Sequence, residues 1–194
     1  MKQNVKIIIL AVLFIALLGG GIFAYNCLSK NYNETETVTL SDSDSSSNQS
    51  QSTEQQKNTA PDFTVVDYNG KQTKLSDKKG NPVVVNFWAS WCGPCKSEFP
   101  AFEDAYNKYG NDVEFMMINL TDGYQETISS AKSFIDEQNY TFPVYYDTTM
   151  SASNAYGVFS IPKTLFIDKN GNIVQNRTGT ISQDTLEQNI ESLL

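Results

Sequence analysis

From about residue 60 to its end, the chain alternates short apolar runs with longer amphipathic segments. Apolar runs of about four to eight residues, rich in β-branched and aromatic side chains, predict strands, and longer segments with one apolar face predict helices. The predicted strands are residues 63–66, 71–75, 82–89, 113–120, 143–147, 163–167 and 172–178. The predicted helices are residues 92–109, 125–138, 151–156 and 182–193. Strands that alternate with helices in this way predict an α/β domain.

Turn and cap residues support these boundaries. The dipeptides Asn69-Gly70 and Asn170-Gly171 each separate two predicted strands, and an Asn-Gly pair in this setting is a strong signal for a hairpin turn. Ser182 stands where it can cap the last helix. Pro100 lies inside the first predicted helix, where it removes one backbone hydrogen bond and should bend the helix.

A different pattern occupies the N-terminus. Residues 7–25 are apolar or small, and Lys2 and Lys6 precede them. At ~1.5 Å per residue a helix of this length spans about 28 Å, close to the ~30 Å hydrocarbon core of a bilayer. The lysines favour a cytoplasmic N-terminus, so residues 1–27 are predicted to anchor the chain in a membrane with the remainder on the extracytoplasmic side.

The fate of this anchor is open from sequence. The small residues 19–21 are compatible with signal-peptide cleavage, and Cys27 is compatible with lipid modification, although the residues before it match a lipoprotein signal poorly. We favour an uncleaved anchor. Cys27 is then an incidental thiol, with intermolecular pairing as the alternative.

Residues 28–59 are mostly Ser, Thr, Asn, Gln and acidic residues. Such a composition cannot bury enough apolar surface to offset chain entropy, so we predict a disordered linker. A flexible segment of this length has a root-mean-square reach of roughly 30 Å, which would let a domain at residues 60–194 rotate and meet partners at the membrane surface.

Charge and composition exclude several functions. The net charge is −8, and outside Lys78-Lys79 the sequence has no basic cluster, so nucleic acid is not an expected partner. The chain has no histidine. It also lacks a glycine-rich phosphate-binding loop, so we expect no cofactor and no second active site.

The candidate chemistry lies in Trp91-Cys92-Gly93-Pro94-Cys95, which follows the apolar strand predicted at residues 82–89. Cys92 would stand at the N-terminus of a helix, where unpaired N–H groups and the helix dipole favour the reactive thiolate. Cys95 would lie one turn further on, beneath Cys92 and close enough for a disulfide. In this arrangement Cys92 attacks a partner disulfide, and Cys95 then resolves the mixed disulfide.

Three other uses of the cysteines are weaker. A zinc site needs four ligands, and the chain offers only Cys27 besides this pair. A purely structural disulfide over so short a loop gains little stability. A peroxide-reducing cysteine would need an arginine nearby, and the single arginine, Arg177, is far downstream in the sequence. We therefore favour a dithiol exchanger and expect no metal.

The run at residues 85–95, together with the order of elements, resembles the thioredoxin fold. It is most similar to the membrane-anchored extracytoplasmic thiol-disulfide oxidoreductases of the ResA/TlpA type, over residues 60–194. The resemblance implies a central mixed sheet flanked by helices, with an N-terminal β-hairpin and an inserted helix and strand at about residues 122–147. It also implies an enzyme, a protein-disulfide reductase.

The resemblance also implies roles for individual residues. Asn86 stands where cytoplasmic thioredoxins carry a buried aspartate, so another base is needed. Glu98 matches a glutamate near the family's dithiol, and we expect a raised pKa and a catalytic role beside Cys92 and Cys95. The alternative is a solvated surface glutamate.

The expected substrate-binding residues surround the first cysteine. The resemblance implies a cis bond before Pro162 and pairing of the Ile161 backbone with an extended substrate. Trp88 is expected in the core and Trp91 as an exposed contact for partners. The substrate-binding set is Trp91, Gly93, Pro94, Ile161 and Pro162.

The direction of electron flow depends on the potential. Gly93-Pro94 is the dipeptide of thioredoxin, whose potential is about −270 mV, against about −120 mV for a strong oxidant. We therefore predict a reductant. The resemblance implies a CcdA- or DsbD-like membrane thiol transporter as electron donor, and exported proteins such as apocytochrome c or methionine sulfoxide reductase as oxidised substrates. The alternatives are a disulfide oxidase or isomerase and a non-catalytic binding module.

Overall fold

The computed structural model describes residues 58–194. The predicted membrane anchor and the predicted linker up to residue 57 lie outside the described residues. Within the described range, no helix combines the length and the apolar character that a membrane crossing requires.

Residues 58–194 form seven strands and four α-helices. The strands are β1 Thr64–Asp67, β2 Gln72–Lys74, β3 Val83–Trp88, β4 Glu114–Asn119, β5 Val144–Tyr146, β6 Lys163–Ile167 and β7 Ile173–Thr178. The helices are α1 Gly93–Tyr109, α2 Ile128–Gln138, α3 Ser151–Ala155 and α4 Gln183–Glu191, with a 3-10 turn at Leu75–Lys78. The predicted order of strands and helices is confirmed.

All seven strands join one mixed sheet in the order β2-β1-β5-β4-β3-β6-β7. Strands β3, β4 and β5 run parallel, and β6 lies antiparallel beside β3. The hairpin of β1 and β2 extends the sheet at β5, and α2 with β5 forms the predicted insertion. This is the thioredoxin-like α/β fold. Strand β3 is buried along its whole length because it lies near the middle of the sheet with packed layers on both faces.

The alternation of side chains along β3 divides the core into two layers. Val84 and Trp88 face one side, where they pack with buried residues of α1, α2 and α4. Val85 and Phe87 face the other side, where they pack with α3 and residues next to the hairpin. Asn86 alternates with Val85 and Phe87, so it points into the layer that contains α1. Its polar side chain is therefore directed toward the helix that follows the two cysteines.

Several predicted boundaries were wrong by a few residues. Helix α2 begins at Ile128 rather than at residue 125, because the Thr127 hydroxyl accepts the Ser130 N–H at 3.1 Å and caps the helix there. The second strand ends at Lys74, and Leu75 begins the 3-10 turn. The predicted cap at the last helix is confirmed.

Residues 58 and 59, which precede the predicted start at residue 60, already make contacts with the domain. The Asn58 carbonyl accepts the Ile173 N–H at 2.7 Å, and Thr59 pairs with Asn172. The Ala60 N–H donates to the Gly171 carbonyl at 2.8 Å. The entering chain is therefore held against the turn between β6 and β7.

An aromatic cluster fills the layer beneath the cysteines. The Phe99 ring is fully buried, and its centroid lies 5.0 Å from that of Trp88, 5.2 Å from that of Phe142 and 5.5 Å from that of Tyr140. All three contacts have the edge-to-face geometry that aromatic pairs favour. Cys92 and Cys95 belong to the same buried cluster as Trp88, Phe99 and Phe142, so the cysteine site is part of this core layer.

We expect Phe99→Ala to lower the free energy of unfolding by about 3–5 kcal/mol, since it leaves a cavity among packed rings. The matched control is Phe159→Ala, whose ring is 99% exposed. That change should stay within about 0.5 kcal/mol of wild type. Urea unfolding of the two variants, followed by circular dichroism, measures the difference. Equal midpoints would contradict the role of Phe99 in the core.

Candidate active site

The two cysteines are joined by a disulfide at the start of α1. Cys92 is the N-cap residue, and its Cα lies 5.3 Å from that of Cys95. The Cys92 Sγ accepts the Cys95 N–H at 3.2 Å. The sulfur therefore occupies the place where a helix N-terminus presents an unpaired N–H donor, and the same donor would stabilise a Cys92 thiolate after reduction.

As the sequence predicts, Cys92 is the more exposed of the two cysteines, but both are buried. Cys95 is completely buried, and Cys92 is 4% exposed. The expectation that Cys92 faces solvent is therefore only partly met, because its sulfur is directed over the helix N-terminus and bonded to Cys95. Cys92 remains the one sulfur of the pair that a partner can reach.

The side chains next to Cys92 leave it accessible from the surface. Trp91 is 50% exposed, whereas Trp88 is fully buried, as predicted for both. Gly93 and Pro94 are exposed, and a Cβ atom at Gly93 would meet nothing within 4 Å. The open space beside Cys92 is where a partner would approach.

A second segment, which lies just before β6, packs against the buried cluster that contains the cysteines. The Ile161–Pro162 peptide bond is cis, as the resemblance implies. Ile161 is half-buried and packs against both core layers, and Pro162 is buried. Within the described part of the chain, no hydrogen bond engages the backbone of Ile161. Its N–H and C=O are therefore available to a bound segment.

Glu98 lies one turn after Cys95 and is 4% exposed. Its Oε1 accepts a hydrogen bond from the Asn86 Nδ2 at 2.8 Å, and its Oε2 accepts the Ile181 N–H at 3.0 Å. Asn86 also donates to the Thr164 hydroxyl at 3.1 Å. The alternative of a solvated surface glutamate is wrong, because the fold closes β3, α1 and the residues before α4 around the carboxyl.

Burial raises the pKa of the Glu98 carboxyl to about 7. The hydrogen bonds from Asn86 and Ile181 and the positive charge of Arg177 oppose this shift. Desolvation wins because it penalises the charged form more than these interactions stabilise it. Although Arg177 is far downstream in the sequence, it lies on β7 within electrostatic range of Glu98.

The sequence did not reveal the role of Glu126, which is buried behind the turn that carries Cys92. Its carboxylate accepts the Ser90 N–H at 3.2 Å, the Ser90 hydroxyl at 2.8 Å and the Asn119 Nδ2 at 2.9 Å. These bonds tie the loop after β4 to the active-site turn. The capping pattern at Thr127 would have placed Glu126 in a loop rather than in a helix, and was the available signal.

Among residues 58–194, no three potential metal ligands of the His, Cys, Asp or Glu type come together. The site consists of the Cys92–Cys95 disulfide and the buried Glu98 carboxyl. Its arrangement can carry out thiol-disulfide exchange with one reachable and one buried sulfur.

Comparisons with known proteins agree with this chemistry. The model of the AhpC/TSA family matches residues 57–176. The chain is 37% identical to the thiol-disulfide oxidoreductase ResA of Geobacillus kaustophilus over 137 residues, which cover 70% of the chain and 76% of that protein. It is 33% identical to the thioredoxin-like protein YneN of Bacillus subtilis over 138 residues, which cover 71% of the chain and 79% of that protein.

Solved structures show the same likeness. A putative thiol:disulfide interchange protein DsbE from Chlorobium tepidum superposes with a TM-score of 0.63 and 33% identity, covering 70% of the chain and 95% of that protein. An exposed lipoprotein thioredoxin from Streptococcus pneumoniae superposes with a TM-score of 0.61 and 30% identity, covering 69% and 100% respectively. With its Cys92–Cys95 disulfide and its thioredoxin-like fold, the chain belongs to the AhpC/TSA family and, within it, to the ResA-type thiol-disulfide oxidoreductases.

Proposed function

We propose that this oxidoreductase works outside the cytoplasmic membrane and reduces disulfides of exported proteins through Cys92 and Cys95. The observation that carries the proposal is the pairing of a reachable sulfur at a helix N-terminus with a buried one 5.3 Å away between Cα atoms. The Cys92 thiolate attacks one substrate sulfur, and the substrate disulfide breaks as a mixed disulfide forms. The Cys95 thiolate then attacks the Cys92 Sγ, so two electrons pass to the substrate, two thiols leave and the Cys92–Cys95 disulfide closes.

The proposed location rests on the N-terminal sequence. An apolar segment at residues 7–25 behind Lys2 and Lys6 suits an anchor with its C-terminal side outside the cytoplasm. A solved relative is described as an exposed lipoprotein thioredoxin, which supports a surface location for proteins of this kind. The polar linker would then give the domain its reach to partners.

The proposed direction rests on the spacer Gly93-Pro94. The dipeptide between the cysteines tunes the potential, and this one is shared with thioredoxin, which is strongly reducing. A reductant in an oxidising compartment must receive electrons, and a CcdA- or DsbD-like membrane thiol transporter is the proposed donor. Apocytochrome c and methionine sulfoxide reductases are the proposed kinds of substrate.

Glu98 is proposed as the base that serves Cys95. A carboxyl with a pKa of about 7 can accept and return a proton near neutral pH. The neighbouring Asn86 amide suits both protonation states of Glu98. Its Nδ2 donates to the ionised carboxylate. Its Oδ1 has no partner in the described part of the chain, and after a flip of the amide it can accept a hydrogen bond from the protonated acid. Asn86 would thus keep Glu98 hydrogen-bonded while the proton moves.

The backbone of Ile161, the exposed Trp91 and the open side of Gly93 and Pro94 are proposed to hold the substrate. An extended segment could pair with the free Ile161 N–H and C=O while presenting its cystine to Cys92. Pro162 is buried next to this position.

Insulin reduction by the full-length protein tests the chemistry. Wild type should reduce insulin with dithiothreitol as electron source, and Cys92→Ser should lower the rate to background. Cys95→Ser should accumulate a mixed disulfide with the substrate, which in cells would also identify the natural partner. Cys27→Ser is the matched control and should keep the wild-type rate. Activity that survives Cys92→Ser would refute the dithiol mechanism.

The reduction potential tests the direction. We expect a value below about −180 mV, the potential of protein disulfide isomerase, from equilibration with glutathione buffers and quantitative thiol labelling. A value above that limit would assign the protein to disulfide formation or isomerisation instead.

The pH dependence of stability tests the state of Glu98. The pKa of its carboxyl is about 7 in the folded protein, against an ordinary 4.5, so folding binds a proton between these values. Stability present below pH 4.5 should therefore fall by roughly 3 kcal/mol as the pH rises to 7 and beyond, at about 1.4 kcal/mol per unit. Urea unfolding of the oxidised protein should show this decline in wild type and a flatter profile in Glu98→Gln.

The same variant tests the catalytic role. Glu98→Gln should slow insulin reduction and remove the inflection near pH 7 from the rate profile. Unchanged rates and unchanged ionisation of the Cys95 thiol would leave Glu98 a structural residue only.

A further inference from the structure

A second buried carboxyl lies close to the cysteines, next to the turn that leads into α1. Glu126 is only 1% exposed, although it belongs to the loop between β4 and α2. Its Oε1 accepts the Ser90 N–H at 3.2 Å and the Asn119 Nδ2 at 2.9 Å, and its Oε2 accepts the Ser90 hydroxyl at 2.8 Å. Neither the exchange of sulfurs nor the proton transfer assigned to Glu98 uses this group.

The contacts of Glu126 suit the ionised form of its side chain. A carboxylate only accepts hydrogen bonds, and three donors point at its two oxygens. The orientation of the Asn119 amide is fixed, because its Oδ1 accepts the Thr121 hydroxyl at 2.7 Å. Within residues 58–194, no lysine or arginine forms an ion pair with Glu126. The negative charge is therefore held by neutral groups and is not cancelled by a cation.

The charge is connected to Cys92 through a single tight turn. The Cys92 N–H donates to the Ala89 carbonyl at 3.1 Å, which places Ser90 and Trp91 at the centre of a four-residue turn. Glu126 binds Ser90 through both its backbone and its hydroxyl. Two residues of chain span at most about 7 Å, so the carboxylate lies on the order of 10 Å from Cys92. Burial of the carboxylate keeps water from screening this interaction fully.

The loop that carries Glu126 is itself fixed. The Glu126 N–H donates to the Asp122 carboxylate at 2.9 Å, and the Glu126 carbonyl accepts the Gly123 N–H at 2.9 Å. Asn119, which binds the carboxylate from the other side, ends β4 directly opposite Trp88 of β3. The carboxylate therefore has a set position relative to β3 and to the turn that follows it.

Two opposite electrostatic effects then act on the Cys92 sulfur. The N-terminus of α1, through the Cys95 N–H, stabilises the thiolate. A buried negative charge at Glu126 destabilises it. Stabilising the reduced form of a dithiol makes the protein a stronger oxidant, as in DsbA. A charge that opposes the thiolate therefore makes the protein a stronger reductant.

We propose that Glu126 is a positioning residue that holds the turn before Cys92 and, through its buried charge, keeps the reduction potential of the Cys92–Cys95 pair low. It touches neither sulfur and acts through Ser90 and through its field. This inference deepens the proposed function, because it assigns the reducing direction to a named side chain, and it rests on that function.

The variant Glu126→Gln in the full-length protein tests the charge. Glutamine keeps the size and one oxygen acceptor of the side chain but carries no charge. The ionisation constant of the Cys92 thiol should rise about tenfold, because the thiolate loses an unfavourable neighbour. The measurement is the pH dependence of iodoacetamide alkylation of the pre-reduced protein, followed at the Cys92 peptide by mass spectrometry.

The same variant should shift the redox equilibrium. In glutathione buffers at pH 9, where the thiolate dominates, Glu126→Gln should move the equilibrium about tenfold toward the reduced protein. That change corresponds to a rise of about 30 mV in the reduction potential. Quantitative thiol labelling of Cys92 and Cys95 measures it.

Two further variants separate the charge from the contacts. Glu126→Asp keeps the charge and weakens the contacts to Ser90, so its potential should stay closer to wild type than that of Glu126→Gln. The matched control is Glu103→Gln. The Glu103 carboxylate also accepts a backbone N–H and a hydroxyl from one residue, Thr141, at 2.9 and 2.6 Å, but it lies on α1 about three turns beyond Cys92. This variant should keep the wild-type potential and the wild-type ionisation of Cys92.

Three results would overturn the proposal while leaving the proposed function intact. These are unchanged ionisation and potential in Glu126→Gln, an equal shift in Glu103→Gln, and a shift in Glu126→Asp as large as that in Glu126→Gln. The last result would assign Glu126 to the shape of the turn alone. Failure of wild type to reduce insulin would instead refute the proposed function, and with it the role of Glu126 in setting its direction.

Discussion

The hydrogen bond from the Cys95 N–H to the Cys92 Sγ is the contact on which the site depends. It exists because β3, which is buried along its whole length, is joined by a short connection to the first turn of α1. The strand fixes where the helix begins, and the beginning of the helix fixes where the sulfur lies. An N–H that would otherwise lack a partner then stabilises whichever form of sulfur is present, whether disulfide or thiolate.

The second component of the site is the buried carboxyl of Glu98, which lies on helix α1 rather than on the sheet. Glu98 receives one hydrogen bond from β3 through Asn86 and one from the backbone before α4 through Ile181. Three elements therefore meet at a single ionisable group. The protonation state of Glu98 therefore depends on how α1 and α4 pack against β3. The acid-base chemistry and the fold rest on the same contacts.

Most of the fold follows from local sequence patterns, because strand and helix periodicity and the Asn-Gly turns act over short distances. The cysteine pair at the start of α1 was predictable for the same reason. The position of Asn86 facing α1 also follows from simple alternation along β3. What the sequence could not supply are contacts between distant segments: Glu126 behind Ser90, 36 residues away, and the charge of Arg177 near Glu98.

The place where the chain enters the domain has a mechanical consequence. Asn58 and Ala60 bind the turn between β6 and β7, next to the start of β3, whereas Cys92 lies at the opposite pole of the sheet. A force applied to the chain at residue 58 would therefore act on the hydrogen bonds to Gly171 and Ile173. It would not act directly on helix α1, which holds the Cys92 sulfur. A tether that joined the domain at residue 58, as proposed, would therefore leave the end of the sheet that carries Cys92 unobstructed.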